Sequence, residues 1–534
     1  MKHTFRILIS LSLLFTADGF AQVNRYAVYF FDKSNSPYDI SRPLEFLSSR
    51  SVQRRLNRKS YLGKSDLPVN PAHIQKVKDQ GVKVLFSSKW LNAVIIEAEL
   101  SQLGNISALP MVIKTEYLAP GPVPSTVAAD VHPEWNSLIT DIQSREAELS
   151  AQLTMVGIDM MHAEGFQGEG LLIAVMDSGF SGINAASSFS GIFPRVRDSY
   201  NFAFNQKNVF GFDGHGTTVL SVISGNSGTL RGSAPKSDYL LYVTEYVPSE
   251  YRIEEFNWVL AAERADSIGV DVINTSLGYF TFDDATMNYR YQDMNGRTSI
   301  ISQAAQVAAE AGILVVASAG NEGAGNWQYV TAPADAEDVL AVGAVDAALM
   351  RAGFSSKGPT ADNRVKPDLM ALGVSTSIVV PSGSDATGNG TSFSAPILSG
   401  FAAGVLQAYP DLSIKEILKK LRASGSMASQ PDALMGYGIP DYVRLRGNLI
   451  TALPDEKSSV VYPNPAFERT IRIKNFASID SDELPILLNI HGQRINSRIN
   501  YDVETKEFVL QADGAPSGLY FLRVGEKVMR ILFK

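Results

Sequence analysis

The sequence predicts a doubly wound, mainly parallel α/β domain, flanked by an N-terminal α+β unit and a C-terminal β-sandwich. The first observation behind this is a set of short, continuous apolar runs at 171–176, 239–244, 270–274, 313–317 and 339–345, alternating with Ala-rich helical stretches. Strands that are apolar on both faces belong in a parallel sheet covered on both sides. The second is that this pattern occupies only about residues 150–450, with a Pro-rich break before it and a change of composition after it. The third is length: 534 residues are too many for one core.

Composition narrows the function before any motif is considered. A formal net charge of −8, with no block of consecutive basic residues, argues against nucleic acid or an anionic membrane as the main partner. The chain has no cysteine, which removes disulfides, thiolate nucleophiles and zinc-thiolate sites together. Residues 1–21 place Lys2 and Arg6 before an apolar run from Ile7 to Phe15 and end in Gly19-Phe20-Ala21, the pattern of a secretory signal peptide with a small-x-small cleavage site. That run is shorter than the roughly 18 residues a bilayer span needs. No later segment is long enough, so the mature form is expected to have no membrane span and to act outside the cytoplasm.

Taken in order, 22–118 reads as strand (26–31), helices (44–56 and 73–79), strands (82–86 and 92–97), a helical turn (100–106) and a strand (111–115), a small α+β unit. Pro120, Gly121, Pro122, Pro124 and Pro133 mark an exposed linker over 119–149, where processing tends to occur. The α/β domain follows over 150–450, with helices expected at 254–267, 300–311 and 396–408. A second linker, 451–459, contains Leu453-Pro454-Asp455, and 460–534 shows the short strands and turn signals of a small β-sandwich.

Chemistry in a doubly wound sheet gathers at the carboxyl ends of the strands. The first strand of the domain ends directly in Asp177-Ser178-Gly179, where an aspartate either orients a partner or turns the chain. A Gly-rich phosphate loop is missing from that place, which argues against a nucleotide site. His215 stands between Gly214 and Gly216 at a helix start; of the six histidines, only His162 shares its domain, in an ordinary helical stretch. Ser276-Leu277-Gly278 ends a strand in a segment whose backbone can pair with an extended peptide. Asn321 ends another, as a turn former or as a side-chain donor. Ser392 follows Gly388-Asn389-Gly390 and opens a helix of small residues. As an N-cap it would only satisfy backbone donors; as a nucleophile it would form its oxyanion beside the positive end of a helix.

In sequence order, Asp177-Ser178-Gly179, Gly214-His215-Gly216-Thr217, Ala319-Gly320-Asn321-Glu322-Gly323 and Gly390-Thr391-Ser392 resemble the four motif blocks of the subtilisin family of serine proteases. The resemblance covers roughly 300 residues, the size of a large single α/β domain. It implies a subtilisin-like fold and a serine endopeptidase acting through an acyl-enzyme. Ser392 would be the nucleophile, His215 the general base and then acid, and Asp177 the residue that holds the imidazole. Asn321, with the backbone N–H of Ser392, would form the oxyanion hole. Ser276, Leu277, Gly278, Ala319 and Gly320 would line the substrate strand. Thr218, Phe393, Ser394 and Ile397 depart from the commonest family pattern and leave fine specificity open.

The same resemblance implies no cofactor for the chemistry. The stretch carrying Asp283, Asp284, Asp293, Asn295 and Gly296 reads as an ordinary surface loop, or alternatively as a structural calcium site. By position and order of elements, 22–118 is similar to the propeptides of secreted subtilisins, so the expected product is a zymogen inhibited by its own propeptide and acting on protein or peptide substrates. Tyr462-Pro463-Asn464-Pro465, Gly518-Leu519-Tyr520 and the basic C-terminal end resemble the sorting domain read by the type IX secretion system of certain Gram-negative bacteria. That makes the secretion machinery a further expected partner and the cell surface or medium the destination, the alternative being a generic β accessory domain. A catalytically silent binding protein or adhesin is the alternative for the whole chain, although all four functional positions are filled.

Overall fold

The computed structural model describes residues 22–124, 139–141, 151–225, 231–447, 460–462, 466, 468–474, 485–489, 493–502, 505, 507–524 and 527–533. The expected signal peptide (1–21), residues 125–138 and 142–149 of the first linker, and the second linker (451–459) lie outside the described residues. The chain divides into two compact units, Met1–Leu445 and Arg446–Lys534.

The first unit opens with an antiparallel sheet of Val23–Phe30 (β1), Lys83–Ser88 (β2), Ala93–Glu99 (β3) and Val112–Pro120 (β4), in the order β2-β3-β1-β4. Ser49–Asn57 (α1), Pro71–Lys78 (α2) and Leu103–Ser107 (α3) lie between its strands in sequence. Period-two alternation gives β1 two destinations. Tyr26, Val28 and Phe30 face a core that includes Val77 of α2 and Ile106 of α3. Ala27 and Tyr29 face the next domain instead, with the Tyr29 ring 6.4 Å from that of Phe256. β4 runs on to Pro120, so Ala119 and Pro120, read from sequence as linker, extend this sheet. Ile139–Asp141 (β5), also inside that stretch, is a strand too.

Seven parallel strands build the centre: Leu172–Asp177 (β6), Val196–Asn201 (β7), Asp238–Val243 (β8), Val272–Thr275 (β9), Leu314–Ser318 (β10), Leu340–Val345 (β11) and Leu369–Leu372 (β12), in the order β12-β11-β10-β9-β6-β8-β7. The helices are Ile158–Ala163 (α4), His215–Ser224 (α5), Ile253–Ile268 (α6), Ile300–Glu310 (α7), Thr391–Ala408 (α8), Ile414–Ala423 (α9) and Tyr442–Gly447 (α10). Ile173 and Val175 of β6 share a core with α5 and α8 on one face of the sheet. Leu172, Ala174 and Met176 share the other with α6 and α7. The doubly wound class expected from sequence is therefore the fold.

From β6 the chain passes to β7 and β8 on one side, then crosses to β9 and onward on the other. The carboxyl end of β6 is thus the switch point at which such sheets bind ligands. Thr376–Val379 (β13) and Asp385–Gly388 (β14) form a hairpin whose second strand pairs with β5, Gly388 opposite Ile139.

In the second unit, one antiparallel sheet orders Val460–Tyr462, Thr470–Lys474, Glu507–Gln511 and Arg498–Asp502. Another orders Ile486–Asn489, Gly518–Val524 and Lys527–Phe533. Ile471, Ile473 and Leu510 of the first pack with Leu487, Leu522 and Ile531 of the second in one core. That is how a sandwich buries the inner faces of both sheets.

Candidate active site

β6 delivers Asp177, fully buried, to the switch point. Its Oδ1 lies 2.5 Å from His215 Nδ1 and also accepts the Ser178 N–H at 2.8 Å. His215 is the first residue of α5, and its own N–H donates to Asp213 Oδ1 at 2.7 Å. The Ser178 hydroxyl donates to the same oxygen at 2.9 Å. Asp213 therefore clamps the segment bearing Asp177 to the helix start bearing His215, a role the sequence reading missed. Its signal was the two-residue spacing at which an aspartate accepts from the backbone ahead of it.

Ser392 is the second residue of α8, and Gly390 holds the N-cap position. Ser392 is therefore not a cap. Pro396 sits inside the helix and has no N–H to give to the carbonyl four residues earlier, that of Ser392. The Ser276 hydroxyl donates to that carbonyl at 3.0 Å instead. Asn274 Nδ2 donates to Ser276 Oγ at 3.2 Å, and Ser399 Oγ donates to Asn274 Oδ1 at 2.8 Å, so the replacement donor is itself held. This is why α8 begins at Thr391, five residues before Pro396, where the sequence places its start. The Ser392 hydroxyl itself makes only a long contact, 3.4 Å to the Ser276 carbonyl. The ring of the next residue, Phe393, is 6.3 Å from that of His215.

Asn321 follows β10, with its Oδ1 accepting both the N–H and the hydroxyl of Thr391 at 3.0 Å. The backbone N–H can only donate, which fixes Oδ1 as the end of the amide turned to Thr391. Gly390 has φ +146°. A Cβ there would stand 3.6 Å from Asn321 Nδ2 and 3.7 Å from Ser392 N, so the two donors flank one small space that the glycine leaves open. Thr391, part of the Gly390-Thr391-Ser392 block, carries no local sign of this role because its partner is 70 residues away.

The two expected substrate-lining segments lie side by side. The Ser318 hydroxyl donates to the Leu277 carbonyl at 3.4 Å, and the Thr331 N–H to the Ala319 carbonyl at 3.2 Å. Ser276 and Gly320 join them as neighbours in sequence of those contacts, while Gly278 precedes Tyr279, whose N–H pairs with the Ala332 carbonyl at 2.9 Å. In the 283–296 stretch, Asp283, Asp284 and Asp293 accept from the N–H groups of Glu250, Thr286 and Arg290 at 3.2, 2.9 and 2.8 Å. Asn295 likewise accepts from Arg297 N at 2.9 Å, and the Gly296 N–H goes to Asp335. Among the described residues, the group with the means to hold a cation is Glu245, Glu250 and Glu254, whose carboxylate oxygens lie within 4.8 Å of one another. Burial pushes all three carboxyls up, and repulsion within the group adds to this for Glu250 and Glu254, which stand well above the usual range.

The site and sheet together define a serine-type peptidase, and known proteins resemble the chain accordingly. Residues 168–438 match the Subtilase family, and residues 25–129 match the Peptidase S8 propeptide domain, Bacteroidota. Subtilisin DY of Bacillus licheniformis is 31% identical over 284 residues, which cover 51% of this chain and 90% of that one. Subtilisin of Bacillus pumilus is 32% identical over 280 residues, again 51% and 90%. The solved structure of the MycP3 protease from the type VII (ESX-3) secretion system aligns at 22% identity over 61% of this chain and 99% of its own, with TM-score 0.47. The chain belongs to the subtilase family, and its N-terminal unit is a propeptide domain. Among the described residues no helix is long and apolar enough to cross a membrane.

Proposed function

We propose that the chain is a secreted serine endopeptidase, made as a zymogen, that cleaves peptide bonds through an acyl-enzyme on Ser392. His215 takes the proton of the Ser392 hydroxyl as it attacks the scissile carbonyl, and returns it to the leaving amine. Asp177, through Nδ1, holds the imidazole in the tautomer whose other nitrogen accepts, and stabilises the imidazolium. Asn321 Nδ2 and the Ser392 N–H receive the oxyanion, and water then resolves the ester by the same steps in reverse. Ser276 to Gly278 and Ala319 to Gly320 flank the substrate strand. Nucleophile, base and oxyanion donors are all side-chain or backbone groups, so the reaction draws on no cofactor.

The observation that carries this reading is the space at Gly390, flanked by Asn321 Nδ2 and Ser392 N, with the 2.5 Å Asp177–His215 pair nearby. Casein hydrolysis by the processed protein tests it: Ser392→Ala should abolish cleavage, and undiminished activity in that variant would sink it. The catalytically silent alternative would require wild-type protein, once freed of its propeptide, to leave casein intact.

For the ends of the chain the reading is an export signal in 1–21 and an inhibitory propeptide over 22–118, separated by cleavage within 119–149. Residues 460–534, after the linker 451–459, serve as a type IX sorting domain, a reading supported by the Tyr462-Pro463-Asn464-Pro465 start and the Gly518-Leu519-Tyr520 segment. Deleting 460–534 should leave the enzyme in the periplasm; delivery of the truncated form to the surface would refute that. N-terminal sequencing with intact mass of the secreted protein locates the cuts.

A further inference from the structure

α1 is built inside out. Arg54, Arg55 and the following Arg58 are 4%, 3% and 5% exposed, while Leu56 of the same helix is 67% exposed. A helix that buries its arginines and leaves its leucine in water is packed against acceptors and not against an apolar surface.

Those acceptors come from the ends of three helices of the catalytic domain. Arg54 donates to the carbonyl of Val270, just past α6, at 2.8 Å and to that of Ala311, at the end of α7, at 3.2 Å. Arg58 donates to the carbonyls of Leu406 in α8 at 3.2 Å and of Tyr409, just after it, at 2.8 Å. Arg50 reaches the Gly269 carbonyl at 2.9 Å and the Asp271 carboxylate. The last carbonyls of a helix have no intrahelical partner and carry the negative end of its dipole, so three such ends together form a cation site. A buried carboxylate sits among them: Asp266 accepts from Arg54 at 2.6 Å, from Arg55 at 2.9 Å and from Lys89 Nζ at 2.6 Å. Burial alone would push its carboxyl up, but Lys89, Arg54 and Arg55 outweigh that and hold it at about 2. The backbones also fit. A Cβ at Gly269 (φ +100°) would come within 2.7 Å of Ser51 N, and one at Gly312 (φ +90°) within 3.0 Å of Arg58 Cβ.

This face is separate from the cleft. Leu406 lies fourteen residues along α8 from Ser392, about 21 Å at 1.5 Å per residue. The substrate side needs none of it.

We propose that the converging helix ends and Asp266 form an arginine receptor that anchors the propeptide to the catalytic domain through residues 49–58, with Arg54 and Arg58 setting how slowly the propeptide leaves once the chain between the two is cut. Planar guanidinium groups suit it, because each can serve two carbonyls or a carbonyl and a carboxylate at once.

The test uses the full-length Ser392→Ala chain, so that its outcome does not depend on whether this serine is the nucleophile. A cleavage sequence for an added protease is placed within 125–138, the chain is cut, and dissociation of the propeptide is followed by size exclusion. The wild-type α1 should keep the propeptide bound, and Arg54→Ala or Arg58→Ala should each speed release about 10–100-fold, the range for losing buried hydrogen bonds to a charged group. Leu56→Ala, on the exposed side of the same helix, should leave the rate unchanged. Should an arginine variant fail to fold, a synthetic peptide of residues 46–60 added to the cut wild-type complex gives the second reading. It should block rebinding of released propeptide, and the same peptide with alanine at 54 and 58 should not. Equal release rates for wild type and both arginine variants, or a peptide without effect on rebinding, would overturn the proposal.

Discussion

Helix α8 offers opposite poles to two parts of the molecule. At its first turn, Ser392 is held through Ser276, and Asn321 is fixed by Thr391, all neutral groups. At its last turn, the carbonyls of Leu406 and Tyr409 already hold a full positive charge, the guanidinium of Arg58. One dipole, positive at the start and negative at the end, underlies both. An oxyanion site must be preorganised for a charge that exists only in the transition state, so it is built from dipoles and left with a space. A docking site meets a permanent charge, so its acceptors are filled in the resting molecule. On the proposed reading, the glycine at 390 and the arginine at 58 are the sequence marks of these two strategies.

The comparison can be broken most severely at the donor end. His215→Ala should lower kcat by about 10⁶, the scale carried over from subtilisin itself for loss of a triad member. A variant that kept a hundredth of the wild-type turnover would mean that this end of α8 is not the reacting one. Asn321→Ala comes next, with an expected loss of about 10²–10³ in kcat, again the subtilisin magnitude, and little change in KM. A rise in KM at constant kcat would assign Asn321 to substrate binding instead.

At the acceptor end the effects are smaller and depend on pH in a defined direction. Asp266 faces Arg54 and Arg55 of α1 and Lys89 of the β2–β3 turn. Its carboxyl is lowered to about 2, so its contribution to docking is complete above the ordinary carboxylate value near 4 and is lost as the pH falls from there toward 2. The cut Ser392→Ala complex should therefore hold its propeptide on size exclusion from pH 5 to 8 and begin to release it only below about pH 4. Release that set in near pH 6 would contradict this. The smallest effect is expected at Lys59, whose pair with Glu416 at 3.1 Å is exposed on both sides. Lys59→Ala should change the release rate by about twofold or less, since exposed pairs are screened and cost side-chain entropy. An effect as large as that of Arg58→Ala would shift the account from burial to surface charge.

Much of this architecture is readable along the chain. β6, β10 and β11 are continuous apolar runs because both faces of a parallel sheet are covered, and the motif residues sit at strand ends and helix starts. β7 escapes the reading because an edge strand needs no continuous apolar run, and Val196 to Asn201 carries Arg197, Asp198 and Ser199. β12 escapes because four residues, Leu369 to Leu372, are too few to separate from a buried turn. The start of α8 is misjudged for a physical reason: Pro396 signals a first turn, and only a tertiary donor, the Ser276 hydroxyl, lets the helix run through it. Within the site, Asp177, His215, Asn321 and Ser392 carry local signals, whereas Thr391 matters through a partner that only folding brings near, and Asp213 joins a partner two residues ahead, His215, to a distant one, Ser178. The arginine face of α1 is the least legible. Its partners lie more than 200 residues away, and in isolation Arg50, Arg54 and Arg58 read as the solvated stripe of a surface helix.

The central claim, that the donor end of α8 carries the nucleophile, is tested most directly by treating the processed protein with a fluorophosphonate and mapping the adduct by peptide mass spectrometry. The account predicts a single adduct on Ser392, absent from His215→Ala. An adduct on another serine, or none on wild-type protein freed of its propeptide, would contradict it.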